Sequence, residues 1–503
     1  MKDSIIAEGK KSKYFSISVD STPDISHTDQ LVFCIRYVKN NCPVERFLEF
    51  IPISEHTSEY LTNIIMQFLQ ENEIDIKDCR GQSYDNANNM SGAYSGLQAR
   101  ICEINNLAIY VPCAAHSMNL VGKNAVVGNK TTIKFFDLIE NLYHFFVYST
   151  FRWDKLKNAL TEKGEFLLKR ATGTRWSAKF DAIKALNSCY TKIINVLQSL
   201  LTENCVQTEE NKATAKGLIN KLCKFDNILL LKIWKDVLQQ FNIINRTLQK
   251  SDLDLVVIVK LYKSLVIYLE EISEKYDIIF NEAISLFRDV RQNYTEEIIQ
   301  TRSTSKTAST HPENEKQVLF ESIFLPLVKA LLAQVKKRCE IYYHLETNFN
   351  FLTKLDKMKG SEISVACQQV ASFYKNDINE NELITECELA KTYFFLDSTI
   401  NQSHASMYTI IIDDNLFCIF PNIEILLRIY LSMFVTNVCD ERSFSKLKYI
   451  KNYLRNTMTE TKLNAFALMS IEHDVLDNLN FEETIDTFIQ VKYRKKAIAP
   501  SLL

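Results

Sequence analysis

Two aspartates, Asp20 and Asp85, stand where short apolar runs give way to polar turns. Asp20 closes the alternating run from Tyr14, and Asp85 opens the turn Asp85-Asn86-Ala87-Asn88-Asn89 that leads into a helix. Carboxylates at strand ends can converge in space although 65 residues separate these two in the chain. Hard divalent cations such as Mg²⁺ take oxygen ligands, commonly one or two carboxylates with phosphate and water. Two such ions about 4 Å apart can activate a water and stabilise the leaving oxygen of an in-line phosphoryl displacement. The same placement suits an Asp that only caps a helix or closes a turn, and spacing alone leaves both readings open.

Cys113 and His116 form a lone Cys-x-x-His. Tetrahedral zinc needs four ligands and no second pair with finger spacing lies nearby, so a packed Cys beside a hydrogen-bonded His is favoured over zinc. Arg175-Trp176 opens a helical stretch, where the Trp can anchor a core and the Arg can extend along it to water. The sequence has no Gly-x-x-x-x-Gly-Lys phosphate loop, no His-Glu-x-x-His pair and no Gly-x-Ser-x-Gly elbow. Nucleotide hydrolysis and serine hydrolase chemistry therefore have little support.

The elements that must hold the two acids come early. Tyr14 to Asp20, Leu31 to Val38 and Glu45 to Ile53 alternate or are rich in β-branched and aromatic residues, with turn residues at Ser21 to Asp24 and Lys39 to Pro43. That pattern predicts three antiparallel strands in a meander. A helix follows over roughly Ser58 to Asn72, then strands at Arg80 to Tyr84 and Ala108 to Val111 with a helix between them. The order is that of an α/β fold with a mixed sheet.

From about Thr131 the β signal largely disappears. Between Leu253 and Phe287, Ile258, Tyr262, Leu265, Leu269, Ile272, Tyr276, Ile279 and Ala283 recur at steps of four and three, an inward face of a helical bundle. Thr301 to Lys316 is polar and predicts an exposed loop. Near the end, Ile423 to Val435 is apolar nearly all round, so such a helix must be buried within the fold or against a partner. The next helix is expected to bury Phe444, Leu447, Ile450, Leu454 and Met458, and Leu463 to Ile471 follows in a further helix.

The 503 residues are 46 % apolar and 24 % charged, enough for a buried core, and scarce Gly (10) and Pro (8) favour helices. Net charge is −2, so no global field calls for nucleic acid. Basic residues do cluster locally: Arg442, Lys446, Lys448, Lys451 and Arg455 in one predicted helix, and Lys492, Arg494, Lys495 and Lys496 near the C-terminus. The 13 Cys have no regular spacing, as expected of reduced thiols. No run reaches the roughly 18 to 20 apolar residues that cross a bilayer, and Met1 to Lys13 has no signal-peptide core, so an intracellular chain with no membrane partner is expected.

Four stretches together resemble the hAT superfamily of transposases (hobo and Activator relatives), with a closer likeness to the animal transposon-derived proteins of the MYM-type zinc-finger-like group. They are YFSISVDSTPDISHTDQLVFCIRYV, GQSYDNANNMSGAYSGLQARICEINNLAIYVPCAAHSMNLV, GTRW, and ERSFSKLKYIKNYLRNTM followed by LNAFALMSIEHD. They span residues 14 to 474. The resemblance implies a ribonuclease H-like mixed-sheet core interrupted by a large all-helical insertion: core over 1–173, insertion over 174–415, and the rest of the core with a dimerisation region over 416–503. It implies that Asp20, Asp85 and Glu441 are an acidic triad holding Mg²⁺ or Mn²⁺ for DNA cleavage and strand transfer. It further implies that Cys113 and His116 lie beside the active site, and that Arg175 and Trp176 handle a base displaced from the stack. Nuclear location, DNA as partner and a homodimer or higher oligomer built through the C-terminal region follow from it as expectations. The alternative it leaves is a catalytically inactive, domesticated nuclear module that binds DNA or protein and dimerises.

The sequence also departs from the family pattern. Relatives carry a DNA-binding zinc finger ahead of the core, whereas the first strand here is expected almost at the start. Phe434 stands where relatives have Pro, Asn86 where they have Gly, and Asp440 adds a second acid beside Glu441.

Overall fold

A computed structural model of the chain describes residues 1–127, 129–160, 162, 164–171, 176–202, 208–250, 253–292, 315–395 and 402–491. Arg175, the stretch 301–314 of the expected polar loop, and the basic residues from Lys492 to Lys496 lie outside the described residues. The chain divides into two compact units, 1–110 with 399–503, and 111–398.

The first unit is built on a five-stranded mixed sheet: β1 (Phe15–Pro23), β2 (Asp29–Lys39), β3 (Cys42–Ile53), β4 (Cys79–Ser83) and β5 (Ile109–Tyr110), in the order β3-β2-β1-β4-β5. β1, β2 and β3 are the expected antiparallel meander. Its tight β2–β3 turn holds Asn40 and Asn41 at φ 48° and 64°, the left-handed pair that a two-residue hairpin requires and that Asn tolerates. β4 then runs parallel to β1, and β5 parallel to β4. The helix Lys2–Ser12 ahead of β1 was not expected. It buries only Ile5, Ile6, Gly9 and Ser12, too few apolar positions to give a periodic signal, and seats Gly9 against Ile35 and Tyr37.

Each face of the sheet has its own core. On one, Ile17, Val19, Phe33 and Ile35 meet Leu61, Ile65 and Phe68 of the helix Ser58–Glu71 and Leu97 and Ile101 of the helix Leu97–Ile104. On the other, Val32, Cys34, Phe47 and Phe50 meet Phe434, Leu447, Ile450, Leu463 and Ala467. The C-terminal segment therefore returns to cover the sheet, through the helices Pro421–Ser432, Val438–Ile450 and Glu460–Ile471. The apolar helix over Ile423 is satisfied within the fold: Ile423, Leu426, Leu427 and Ile429 are fully buried, as is Phe434 just beyond it.

One boundary differs from expectation. The helix after Asp440 stops at Ile450, and Leu454, expected in its buried stripe, is 96 % exposed. The chain turns because Lys451 points inward, its Nζ donating to Asp24 Oδ2 at 2.6 Å. Lys451 thereby leaves the expected basic helix face, while Arg442, Lys446 and Lys448 stay exposed on it.

Among the described residues, every regular element of the second unit is a helix. The expected heptad-like stripe is buried from Ile258 to Ala283, though the helix is broken by a 3₁₀ turn at Ile272–Lys275. Among the described residues one long helix, Lys316–Lys357, is apolar enough by composition to cross a bilayer. Its Leu327, Leu331 and Val335 are buried where it packs on the helix Leu255–Glu271, as in the core of a helical bundle.

Candidate functional site

β1 and β4 are neighbouring parallel strands in which Ser18 lies opposite Ser83. Asp20 and Asp85 each stand two residues further on. Side chains alternate along a strand, so Ser18 and Asp20 share one face of β1. That face is the one covered by the C-terminal helices, because Ser18 Oγ donates to Asp440 Oδ2 at 2.6 Å and Ser83 Oγ donates to Asn437 Oδ1 at 2.9 Å. Asn437 caps the helix Val438–Ile450 and Asp440 is one turn along it, so two serines on adjacent strands key one helix end to the sheet. The intervening Val19 and Tyr84 point the other way, into the opposite core.

Each strand-end acid also serves its own turn. Asp20 Oδ1 accepts from Ser21 N at 2.8 Å, and Asp85 Oδ1 accepts from Ala87 N at 3.0 Å. Both residues are half-buried, as is Glu441. Asp440 is fully buried, and burial, reinforced by the charge of Asp20, pushes its carboxyl well above the ordinary carboxylate range. The acid placed electrostatically against Asp20 is thus Asp440, which sequence reasoning had set beside the third ligand and not in the site. The signal available was the pair of serines two residues before each aspartate.

The donor set was tested against a metal ion. Among the described residues no group of three or more His, Cys, Asp or Glu side chains is gathered to hold one. Asp440 gives one carboxylate oxygen to Ser18, and its burial works against the charged form that a hard cation prefers.

The remaining expected site residues lie in the helical unit. Cys113 is buried, and its segment is clamped by two tyrosines: Tyr342 Oη donates to Pro112 O and Tyr262 Oη donates to Ala114 O, at 2.9 and 3.0 Å. His116 is half-buried on the helix Ala114–Val127 that follows. Trp176 is only 2 % exposed. Its indole N–H donates to Met118 O at 2.7 Å, and its ring packs against Trp234 and Phe241. A Cβ at Gly122 would fall 1.8 Å from the ring, so only glycine admits it there. The enclosed ring fits the core-anchor reading of Trp176, and the base-handling role rests on the resemblance alone.

Comparisons with known proteins bear on both ends of the first unit. Residues 2–96 match the family described as ZMYM1/FAM200, RNase-like domain. Residues 417–475 match the hAT family C-terminal dimerisation region. The whole chain is also similar to the "52 kDa repressor of the inhibitor of the protein kinase" of Homo sapiens, 23 % identical over all of this chain and 67 % of that protein. The Mus musculus protein of the same name is 21 % identical with the same coverage. The resemblance to hAT-derived proteins of the MYM-type group is borne out by these matches.

Proposed function

We propose that this chain is a descendant of a hAT transposase that works in the nucleus as a dimerising DNA- or protein-binding module on a ribonuclease H-like core, without phosphodiester cleavage. The observation that carries this reading is the acid arrangement. At the helix end expected to deliver a metal ligand, the fully buried Asp440 is seated on Ser18 with its carboxyl pushed up by burial, while Glu441 lies about 100° further round the helix. Three antiparallel strands followed by two parallel ones support the ribonuclease H-like ancestry. The repressor name of the similar human and mouse proteins fits a binding role. Self-association is supported by the match over 417–475 and by Tyr449, Tyr453, Leu454 and Phe466, which expose apolar surface in that segment. A stable dimer there would bury on the order of 1,200 Å² or more.

A second reading keeps Asp20, Asp85 and Glu441 as ligands of Mg²⁺ or Mn²⁺ for DNA cleavage and strand transfer. It is favoured by the shared position of Asp20 and Asp85 beyond paired residues of adjacent strands. One preparation separates the two. The purified full chain, sized by light scattering, is incubated with DNA and either cation, beside Asp20→Asn. The proposal expects a dimer whose DNA binding weakens steeply with salt and is equal in the two proteins, with no nicking that depends on Asp20. Metal-dependent nicking that Asp20→Asn abolishes would overturn it in favour of the enzyme.

A further inference from the structure

We propose that the cleft between the helices Lys130–Val147, Thr150–Ala159 and Glu209–Leu222 binds a phosphate group, with Arg152 as the buried cation that holds it. The cleft has a volume of about 450 Å³ and lies wholly within the helical unit. That is room for a phosphate with a nucleoside-sized group attached, within the range of small-ligand pockets.

Arg152 is 7 % exposed, and its Nε is buried without a hydrogen-bond partner. Its guanidinium lies over the Phe145 ring, 4.3 Å from the centroid, which fixes the plane of the fork but supplies no countercharge. Acids are available on all three helices: Asp137 and Glu140, Asp154, and Glu209 and Glu210. None of them lines the cleft. Glu140 is turned to Arg170 and His144, and Glu209 to Lys212.

A guanidinium whose Nε is buried without a partner and which faces no carboxylate in its cleft is costly, and a ligand that supplies the missing charge offsets that cost. The rest of the lining suits an oxyanion. Lys221 is a second cation, and Asn141 and Asn211 add neutral donors. A planar guanidinium fork with several donors around it matches the non-bridging oxygens of phosphate. Two sources share that chemistry: a free phosphorylated small molecule and the backbone of a nucleic acid.

The test follows the thermal midpoint and binding of the full chain with inorganic phosphate, a nucleoside monophosphate and a short single-stranded oligonucleotide, at ionic strength matched with chloride. Two variants accompany the wild type. Arg152→Met removes the charge, and Gly217→Leu fills the cleft from a helical glycine whose added Cβ would meet nothing within 4 Å. The wild-type midpoint should rise with at least one probe, and both variants should bind that probe about tenfold more weakly or worse. Arg152→Met without ligand should melt no lower than wild type, whereas an arginine kept only for the fold would lower it. A response to phosphate and the mononucleotide assigns a small ligand, and a response to the oligonucleotide alone assigns a backbone phosphate. The proposal falls if no probe moves the wild type, or if all three proteins respond alike.

Discussion

Replacing Lys451 by Met tests what holds the C-terminal segment on the sheet. Lys451 and Asp24 are 3 % and 1 % exposed at their side chains, 2.6 Å apart. Asp24 also accepts from Ser26 N and Oγ, Thr28 N and Gln30 Nε2. Burial works against the Asp24 carboxylate, but the Lys451 ammonium, followed by Ser26 and Gln30, holds it down at about 2 against the usual 3.8. A depression of that size is worth ~2.5 kcal/mol. Because the folded value is the lower one, that stability is fully present above about pH 4 and is lost as pH falls through about 2. Removing one partner of a buried pair costs more, about 3–5 kcal/mol, since the other charge stays buried. Urea unfolding of the full chain should therefore show Lys451→Met some 3–5 kcal/mol less stable at pH 7. The gap should narrow on acidification, because a protonated Asp24 needs no countercharge. Adding Asp24→Asn should recover part of the loss, since the pair shares one interaction. A variant within about 0.5 kcal/mol of wild type at pH 7, or a gap that does not change with pH, would refute the argument.

Asp440→Asn should behave in the opposite sense. The raised carboxyl costs stability above its ordinary titration range, so the amide should raise the melting midpoint at pH 8, with the advantage fading as pH falls toward 4; a variant that melts lower at pH 8 would show an ionised, satisfied Asp440. Gly122→Ala forces a methyl into the space of the Trp176 ring and should destabilise the helical unit by about 3 kcal/mol in thermal unfolding; a melting curve unchanged from wild type would mean that Trp176 is not the anchor described.

The meander was legible because β-branched and aromatic runs alternate between turns rich in Asn, Pro and Asp, and the observed β1, β2 and β3 extend each expected strand by only a few residues. The burial of the stripe from Ile258 to Ala283 was legible for a similar reason: its spacing encodes one face. What remained hidden depended on tertiary partners. The helix Lys2–Ser12 has too small a buried face to announce itself. The end of the helix at Ile450 is decided by a lysine drawn to Asp24, 427 positions away in sequence. Trp176 was read from sequence both as a core anchor and, through the resemblance, as a base-handling residue. The position of Gly122 beneath its ring, which no spacing announces, is what favours the anchor.

Which acid meets the sheet is a question of helix phase, and that phase is set by residues remote from the acids. Successive helical residues are about 100° apart, so Asp440 and Glu441 cannot both face β1. The inward stripe of this helix is Asp440, Ser443, Leu447 and Ile450, all buried at steps of three and four. Asn437 on Ser83 locks the start of that stripe, and Leu447 and Ile450 in the core with Val32 and Phe50 lock its end. Turning Glu441 to the position of Asp440 would rotate the helix by about 100° and expose both apolar residues, at ~1.5–3 kcal/mol each. The second reading therefore requires Glu441 to reach an ion from the side of the helix, alongside Asp20 and Asp85, while Asp440 stays where it is. An activity that survives Asp440→Asn and is lost in Glu441→Gln would be the signature of that sideways ligand.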